Sequence, residues 1–214
     1  RRDIGTAIVE QARMLLAAEA DRIRKSRPVQ VREQVQSGRC VEQVKEAAAG
    51  ADLLVMGAHG DRPVRDFVIG TTAARLVLSA GQPVLVVKQR ASSPYAKGLV
   101  LTDFSPGSDA ALQAALALAP QAAIHLLHAV DLPYEGRLRI AGVDDREIER
   151  HREQARQQAL ASLRNLPVGV EDDARIFPDA VFGDARMTGT AYIEQMRPDF
   201  VYLTGWGAMN AVSL

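Results

Sequence analysis

The residues best suited to chemistry lie in a glycine-rich loop. The chain reads Gly57-Ala-His-Gly60 and, after nine further residues, Gly70-Thr71. Glycine lets backbone N–H groups approach phosphate oxygens closely, and the hydroxyl of Thr71 can donate to another oxygen. A helix that starts at the end of such a loop adds unpaired N–H groups and a partial positive charge. The pattern indicates a phosphate cradle, although the same glycines would also serve as structural turns.

The elements that must position this loop alternate between strands and helices. An apolar run at 52–56 precedes the loop and is typical of a strand buried on both faces of a parallel sheet. A helix is predicted over 67–79 and a second buried strand over 83–87. This alternation indicates βαβ units in a doubly wound α/β fold, where ligands bind at the carboxyl ends of strands.

The remaining segments continue the alternation, with helices identified by their 3.6-residue periodicity and strands by apolar runs or two-residue alternation. The further predicted helices are 3–26, 40–49, 107–119, 144–165 and 184–197, the further strands are 29–35, 98–102, 122–130, 168–177 and 199–203, and 131–143 is predicted to be a loop.

The chain contains an internal repeat. Asp52-Leu-Leu-Val-Met-Gly-Ala-His-Gly60 aligns with Asp199-Phe-Val-Tyr-Leu-Thr-Gly-Trp-Gly207, 147 positions later. We therefore predict two copies of one domain, at 1–90 and 98–214, joined by a polar linker at 91–97. By this alignment the first copy lacks its opening strand-helix-strand, and the second lacks its final helix and strand.

The composition disfavours several classes of protein. Lysine plus arginine and aspartate plus glutamate both number 26, so the formal net charge is zero, whereas a dedicated nucleic-acid binder carries a basic excess. The single cysteine, Cys40, allows no intramolecular disulfide and fits a reducing compartment. No apolar run approaches the roughly 20 residues of a membrane span. We expect a cytoplasmic protein with no nucleic-acid or membrane partner.

The histidines do not suggest a metal site. His125 and His128 lie three residues apart on one predicted strand and so point to opposite faces, in core or surface positions. His59 is interpreted as loop packing and His151 as a solvated helix residue. No cluster has the spacing of metal ligands, and no Gly-x-Ser-x-Gly elbow surrounds Ser105. We therefore predict no metal and no catalytic residue.

In combination, these motifs resemble the ATP-binding members of the universal stress protein family. The pattern Gly-x2-Gly-x9-Gly-Thr after Met56 is similar to the family's nucleotide motif. Leu101-Thr-Asp103-Phe-Ser105 resembles the family's first strand and turn, Leu126-Leu-His-Ala-Val130 its second strand, and Pro83-Val-Leu-Val-Val-Lys88 its last. The resemblance implies a Rossmann-like, three-layer α/β sandwich of the adenine nucleotide alpha hydrolase type. Each of the two incomplete copies would have a parallel sheet of order 3-2-1-4-5.

The resemblance also implies which residues contact a nucleotide. In the first copy the phosphates and ribose would contact Gly57, Gly60, Gly70 and Thr71, and Met56 would line the nucleoside. In the second copy Asp103 matches an acidic residue near the adenosine, and the backbone of Ala129 matches a position that contacts adenine. Because Thr204 replaces the motif's first glycine in the second copy, the first copy is the expected site.

The function implied is that of a stress-response protein that binds ATP or another adenine nucleotide as a regulatory ligand, with little or no turnover. Mg²⁺ would enter only as the counter-ion of the nucleotide. The two copies would pair as an intramolecular pseudo-dimer with Val84–Val87 near the pseudo-twofold axis, and a homodimer and unidentified protein partners are also expected. The alternative is a non-nucleotide interaction or dimerisation module of the same fold.

Overall fold

A computed structural model describes residues 4–58, 70–87, 93–105, 107–131, 135–166, 170–203 and 211–213. The chain divides into two compact units, Arg1–Ala47 and Ala48–Leu214. The first unit contains the helices α1 (Ile4–Ser26) and α2 (Cys40–Ala47). The helices of the second unit are α3 (Thr71–Ser79), α4 (Gly107–Leu118), α5 (Glu135–Ile140), α6 (Asp145–Arg164) and α7 (Ala185–Met196). Its strands are β1 (Leu54–Gly57), β2 (Val84–Val87), β3 (Lys97–Leu101), β4 (Ala123–Val130), β5 (Ile176–Phe182), β6 (Phe200–Leu203) and β7 (Ala211–Ser213).

In the first unit, the strand predicted over 29–35 is wrong, because residues 29–37 have no regular secondary structure. A strand needs a neighbour to pair with its N–H and C=O groups, and none of the described residues pairs with this segment. Arg24 holds the segment instead, donating to the carbonyl of Val31 at 2.9 Å and to the carboxylate of Glu33 at 2.7 Å. The alternating pattern therefore exists without the partner that a strand requires.

The strands described in the second unit form one sheet in the order β1-β2-β7-β6-β3-β4-β5. The strands β6, β3, β4 and β5 are mutually parallel. Strand β7 is antiparallel to β6 but parallel to β2, which is parallel to β1. The strands β1 and β2 therefore run opposite to β3–β6, and their carboxyl ends lie at the opposite edge of the sheet.

Helices cover both faces of β3 and β4, whose neighbouring residues point to opposite sides. On one face Val100 of β3 packs in a cluster with Leu112 of α4 and Leu163 of α6. On the other face Leu99 and Leu127 pack against residues of α7. The prediction that the strand at 52–56 is buried on both faces is wrong, because β1 stands at the end of the strand order and Val55 is 55% exposed. The α/β fold predicted from the sequence is confirmed. The boundary predicted at 91–97 stays a prediction, and strands from both sides of it join the same sheet.

Three segments differ from the sequence prediction in the second unit. Strand β7 lies where no element was predicted. Helix α5 lies within the predicted loop at 131–143, where Glu135 pairs with Arg152 of α6 at 2.8 Å and ties the short helix down. The strand predicted over 168–177 begins only at Ile176. Before it, Asp173 accepts a hydrogen bond from the backbone N–H of Arg175 at 3.0 Å and closes a turn.

A substitution at Gly98 tests how tightly β3 packs against β6. A Cβ atom added at Gly98 would lie 2.3 Å from Cζ of Phe200, which is fully buried. We expect Gly98→Ala to lower the free energy of unfolding by roughly 1–3 kcal/mol through overpacking. The matched control is Gly136→Ala in α5, where an added Cβ meets nothing within 4 Å. Urea unfolding checks both variants, and equal midpoints would contradict the tight β3–β6 contact.

Candidate functional site

A cavity of about 290 Å³ lies at the carboxyl ends of β3, β4 and β6, under helix α7. Its polar lining consists of Thr102, Asp103, His128, Arg186 and Thr190, and its apolar lining includes Leu101, Leu127, Ile193 and Leu203. The chain leaves β3 toward β4 on one side, whereas β6 lies on the other side of β3. The cavity therefore occupies the switch point of the sheet, where open α/β folds bind ligands.

Thr102, only 6% exposed, organises the floor of this cavity. Its backbone N–H donates to the carbonyl of Leu127 at 2.9 Å and so joins β3 to β4. Its hydroxyl lies 2.5 Å from the hydroxyl of Ser108, at the start of α4, and accepts from the N–H of Phe104 at 3.2 Å. These bonds fix the turn that carries Asp103.

Asp103 is held as a carboxylate. Its Oδ1 accepts a hydrogen bond from the N–H of Ser105 at 2.9 Å. Partial burial acts to raise the pKa of Asp103, but the hydrogen bonds from Ser105 and the nearby His128 together outweigh it, so this pKa lies below its usual value. Because the pKa is depressed on folding, the carboxylate stabilises the folded protein at neutral pH, and this contribution is lost as the pH falls through the depressed pKa.

Phe104 and His128 form an aromatic pair beside the carboxylate. Phe104 has a φ of 62°, in the left-handed region that a bulky side chain rarely adopts. Its ring centroid lies 4.2 Å from that of His128. The Nδ1 atom of His128 lies 2.8 Å from the carbonyl oxygen of Thr102. The imidazole is therefore held on one side by a ring and on the other by the backbone.

Helix α7 makes room for the cavity with small residues. Its N-terminus is capped by Asp184, which accepts from the N–H of Met187 at 3.0 Å. Gly189 is buried, and a Cβ added there would lie 3.1 Å from Cδ1 of Leu101. The helix can therefore approach β3 closely while Arg186 and Thr190 reach the cavity.

The predicted site residues of the first copy lie elsewhere in the sheet. Gly57 ends β1, Gly70 is the N-cap of α3 and Thr71 is its first residue, whereas Gly60 lies outside the described residues. The N–H of Gly70 donates to the carbonyl of Ala58 at 2.9 Å, and an added Cβ would lie 3.2 Å from the same oxygen. The close approach therefore explains why glycine stands at position 70.

Met56, the remaining predicted contact of the first copy, is half-buried. It packs against a cluster that contains Ala58, Val77, Val84 and Val86. A side chain in this position serves the packing of β1 and β2 against α3. Its role beside a nucleoside stays a prediction.

The structure brings two of the predicted residues together and separates them from the others. Asp103 and Ala129 line the same cavity. Of the first-copy residues, Met56 and Gly57 lie in β1, which is four strand spacings from β3, or roughly 19 Å. The carboxyl ends of β1 and β3 also face opposite edges, so the two sets cannot contact one ligand. As nucleotide contacts, both sets stay predictions.

A second cleft, of about 900 Å³, lies on the other side of α7. It contains His125, stacked on Phe177 with ring centroids 5.3 Å apart. Burial and the nearby Lys97 lower the pKa of His125. Asp179 in this cleft already accepts from the N–H of Ala180 at 2.8 Å and from the hydroxyl of Tyr192 at 3.3 Å. The carboxylate of Asp179 is therefore already used in hydrogen bonds within the protein, and the cavity at Asp103 is the better candidate for a ligand site.

Among the residues that the structure describes, no three His, Cys, Asp or Glu side chains come together as a metal site would require. Within the same residues, none of the helices has the length and the apolar character needed to cross a bilayer.

Sequence reasoning missed four polar residues of the cavity. Thr102 and His128 directly precede the predicted Asp103 and Ala129, so their neighbours could have pointed to them. Arg186 and Thr190 lie four residues apart on one face of α7, a helical spacing that is visible in the sequence. Nothing in that spacing shows that the face covers a cavity, because this depends on the crossing of α7 over β3.

Comparisons with known proteins agree with this fold. The sequence profile described as the universal stress protein family matches residues 3–88 and 94–203. A universal stress protein from Archaeoglobus fulgidus has a similar structure, with a TM-score of 0.66 and 16% identity over 100% of this chain and 82% of that chain. A functionally unknown protein from Pseudomonas aeruginosa has a TM-score of 0.57 and 16% identity over 100% of this chain and 78% of that chain. Identities this low show the fold alone. No curated protein sequence matches the chain.

The bond between Thr102 and Ser108 gives a test of how the cavity floor is built. We expect Thr102→Val to lower the free energy of unfolding by about 1–3 kcal/mol, because it leaves the hydroxyl of Ser108, which is 2% exposed, without its partner. The double variant with Ser108→Ala should lose less than the sum of the two single variants, since both partners are then removed. Urea unfolding of the four proteins measures this coupling, and strictly additive losses would argue against the bond.

Proposed function

Because the chain belongs to the universal stress protein family, we propose that it is a stress-response protein that binds ATP or another adenine nucleotide as a regulatory ligand. The observation that carries this proposal is the cavity at the switch point, which contains both Asp103 and Ala129. These are the second-copy residues that the resemblance to the family associates with the adenosine. The fold alone would not suffice, since one fold supports many functions.

The chemistry of the cavity suits a nucleoside. Leu127 and Ile193 offer apolar walls to a planar base, and the strand end at Ala129 offers backbone groups to the edge of the base. The carboxylate of Asp103 can accept hydrogen bonds from ribose hydroxyls. The guanidinium of Arg186 suits a phosphate, because its charge and its donors match phosphate oxygens. Mg²⁺ would accompany the phosphates as a counter-ion.

We propose little or no turnover at this cavity. A general base works best when its pKa lies near the operating pH, whereas the pKa of Asp103 is lowered by its hydrogen bonds with Ser105 and by His128, despite partial burial that acts to raise it. The carboxylate is therefore a weak base for activating water. Binding would instead change the surface that partner proteins meet.

The loop that begins at Gly57 is proposed as a second phosphate site, because it follows the carboxyl end of β1 and leads to the start of α3 at Thr71. The opposite directions of β1–β2 and β3–β6 are those expected of two copies related by a pseudo-twofold axis. We infer that the two copies form an intramolecular pseudo-dimer in a cytoplasmic protein. Two such chains would also associate as a homodimer.

The second candidate function is the binding of a small apolar ligand without a nucleotide. It is supported by the apolar walls of the cavity, which include Leu101, Leu127, Ile193 and Leu203. Such a ligand would need no contact with Asp103, so a substitution at this residue separates the two candidates.

Isothermal titration with Mg-ATP tests the proposal. We expect the wild-type protein to bind, and Asp103→Ala to weaken binding about tenfold by removing acceptors for the ribose. The matched control is Asp172→Ala, which removes an exposed carboxylate from a turn and should bind as the wild type does. Gly57→Asp/Gly70→Asp places negative charge at the first-copy loop and should abolish only the binding that this loop contributes.

An absence of heat with the wild-type protein at millimolar ATP would contradict the nucleotide proposal. Release of phosphate at an ordinary enzymatic rate, about 1 s⁻¹ or faster, would contradict the proposal of a regulatory ligand with little turnover.

A further inference from the structure

Strand β5 stands at one end of the order of the described strands, so one of its edges is open. Alternate residues of a strand direct their N–H and C=O groups to opposite edges. The N–H of Ile124 donates to the carbonyl of Arg175, and the N–H of Gly183 donates to the carbonyl of Val130. The odd-numbered residues of β5 therefore face β4. The even-numbered residues turn their backbone groups to the open edge: Ile176, Pro178, Ala180 and Phe182.

Two of these four residues offer no donor to a further strand. The N–H of Ile176 already donates to the carbonyl of Asp173 at 2.9 Å. Pro178 has no N–H, and proline is found at strand edges for this reason. Phe182 is the last residue of β5, where a ladder of hydrogen bonds would end. An added strand would therefore depend on the backbone groups of Ala180.

Side chains occupy both backbone groups of Ala180. Its N–H donates to Oδ1 of Asp179 at 2.8 Å, and its carbonyl accepts from Nε of Arg156, in α6, at 3.0 Å. Asp179 also accepts from the hydroxyl of Tyr192, in α7, at 3.3 Å. The guanidinium of Arg156 lies 3.8 Å from the carboxylate of Asp179. The two charged side chains thus form a clasp over the open edge, between helices that lie on opposite faces of the sheet.

The clasp is poorly suited to stabilising the fold. The side chains of Arg156 and Asp179 are 41% and 36% exposed, and water screens an ion pair this exposed. The edge that they cover is a more demanding matter, because β5 has seven residues and Phe177 on it is 47% exposed. A long edge with an exposed apolar side chain is a template for pairing with another chain. A second copy brings the same strand, so a twofold axis could pair β5 with itself.

We propose that the clasp of Arg156 and Asp179 closes the β5 edge to strand addition by a second copy of this chain. An incoming strand would have to break two side-chain hydrogen bonds at Ala180 before it gained any backbone bond there. A homodimer of this protein would therefore use a surface other than the β5 edge. The clasp does not touch the cavity at Asp103, so it acts whether or not a nucleotide binds.

The double variant Arg156→Met/Asp179→Ala tests the clasp, because methionine keeps an apolar stem but has no donor. It frees both backbone groups of Ala180. We expect sedimentation equilibrium to show a dissociation constant for self-association at least tenfold lower than that of the wild-type protein. The matched control is Arg164→Met/Asp172→Ala, which removes the same charges at exposed positions and should associate as the wild-type protein does.

Hydrogen–deuterium exchange locates the new contact. In the double variant, the backbone of residues 176–182 should gain protection as the protein concentration is raised, since strand addition pairs its free groups. Adding Pro178→Val to the double variant supplies the missing N–H and should strengthen the association further. Each single variant, Arg156→Met or Asp179→Ala, frees one group of Ala180 and should show a smaller effect of the same kind.

Three results would overturn the proposal. The double variant could associate no more strongly than the wild-type protein, or it could associate without protection of residues 176–182, which would place the contact elsewhere. The wild-type protein could also gain protection at 176–182 with concentration, which would mean that the edge is open. Urea unfolding shows whether the double variant is folded, and if it is not, the two single variants decide by the same measurements.

Discussion

The candidate site depends on one buried residue, Thr102, at the point where β3 ends. Its N–H joins β3 to β4, its hydroxyl meets α4 through Ser108, and its carbonyl holds the ring of His128. A buried polar group must have its partners satisfied, since an unpaired one costs about as much as a lost hydrogen bond. These bonds also fix the turn that carries Asp103, which lines the cavity, so the bonds that stabilise the strand end also arrange the candidate site.

The direction of the strands constrains how the two copies can work together. Strand β7 lies between β2 and β6, parallel to one and antiparallel to the other. As a consequence, the carboxyl ends of β1 and β3 face opposite edges of one sheet. A nucleotide held at Asp103 would take its phosphate contacts from the second copy, and the loop from Gly57 would serve a separate ligand. Under the proposed function, each copy would therefore have to complete its own site.

The sequence predicted those elements whose residue pattern alone identifies them, without knowledge of their neighbours in the fold. The apolar runs of β1 and β6 and the periodicity of α6 and α7 were recognised within two residues at each end, and the turn after β3 was located with Asp103. The segment 29–35 was mistaken for a strand because alternation shows which face could be buried, not whether a neighbouring strand exists. His128 was interpreted as a core or surface residue, since its bond to Thr102 depends on the register of β3 with β4. That register is a tertiary property and leaves no mark on the spacing of residues.

Two residues oppose their local preferences near the cavity: Gly189 lines it, and Phe104 directly follows the lining residue Asp103. Gly189 lies inside α7, where glycine costs about 1 kcal/mol relative to alanine. Phe104 occupies a left-handed conformation that favours glycine. Alanine at 189 and glycine at 104 would each remove the local cost. However, alanine at 189 would crowd Leu101, and glycine at 104 would remove the ring that packs on His128. Local conflicts of this kind are expected where a sequence gives up stability for a site. Both conflicts lie at or beside the cavity that is proposed as the ligand site.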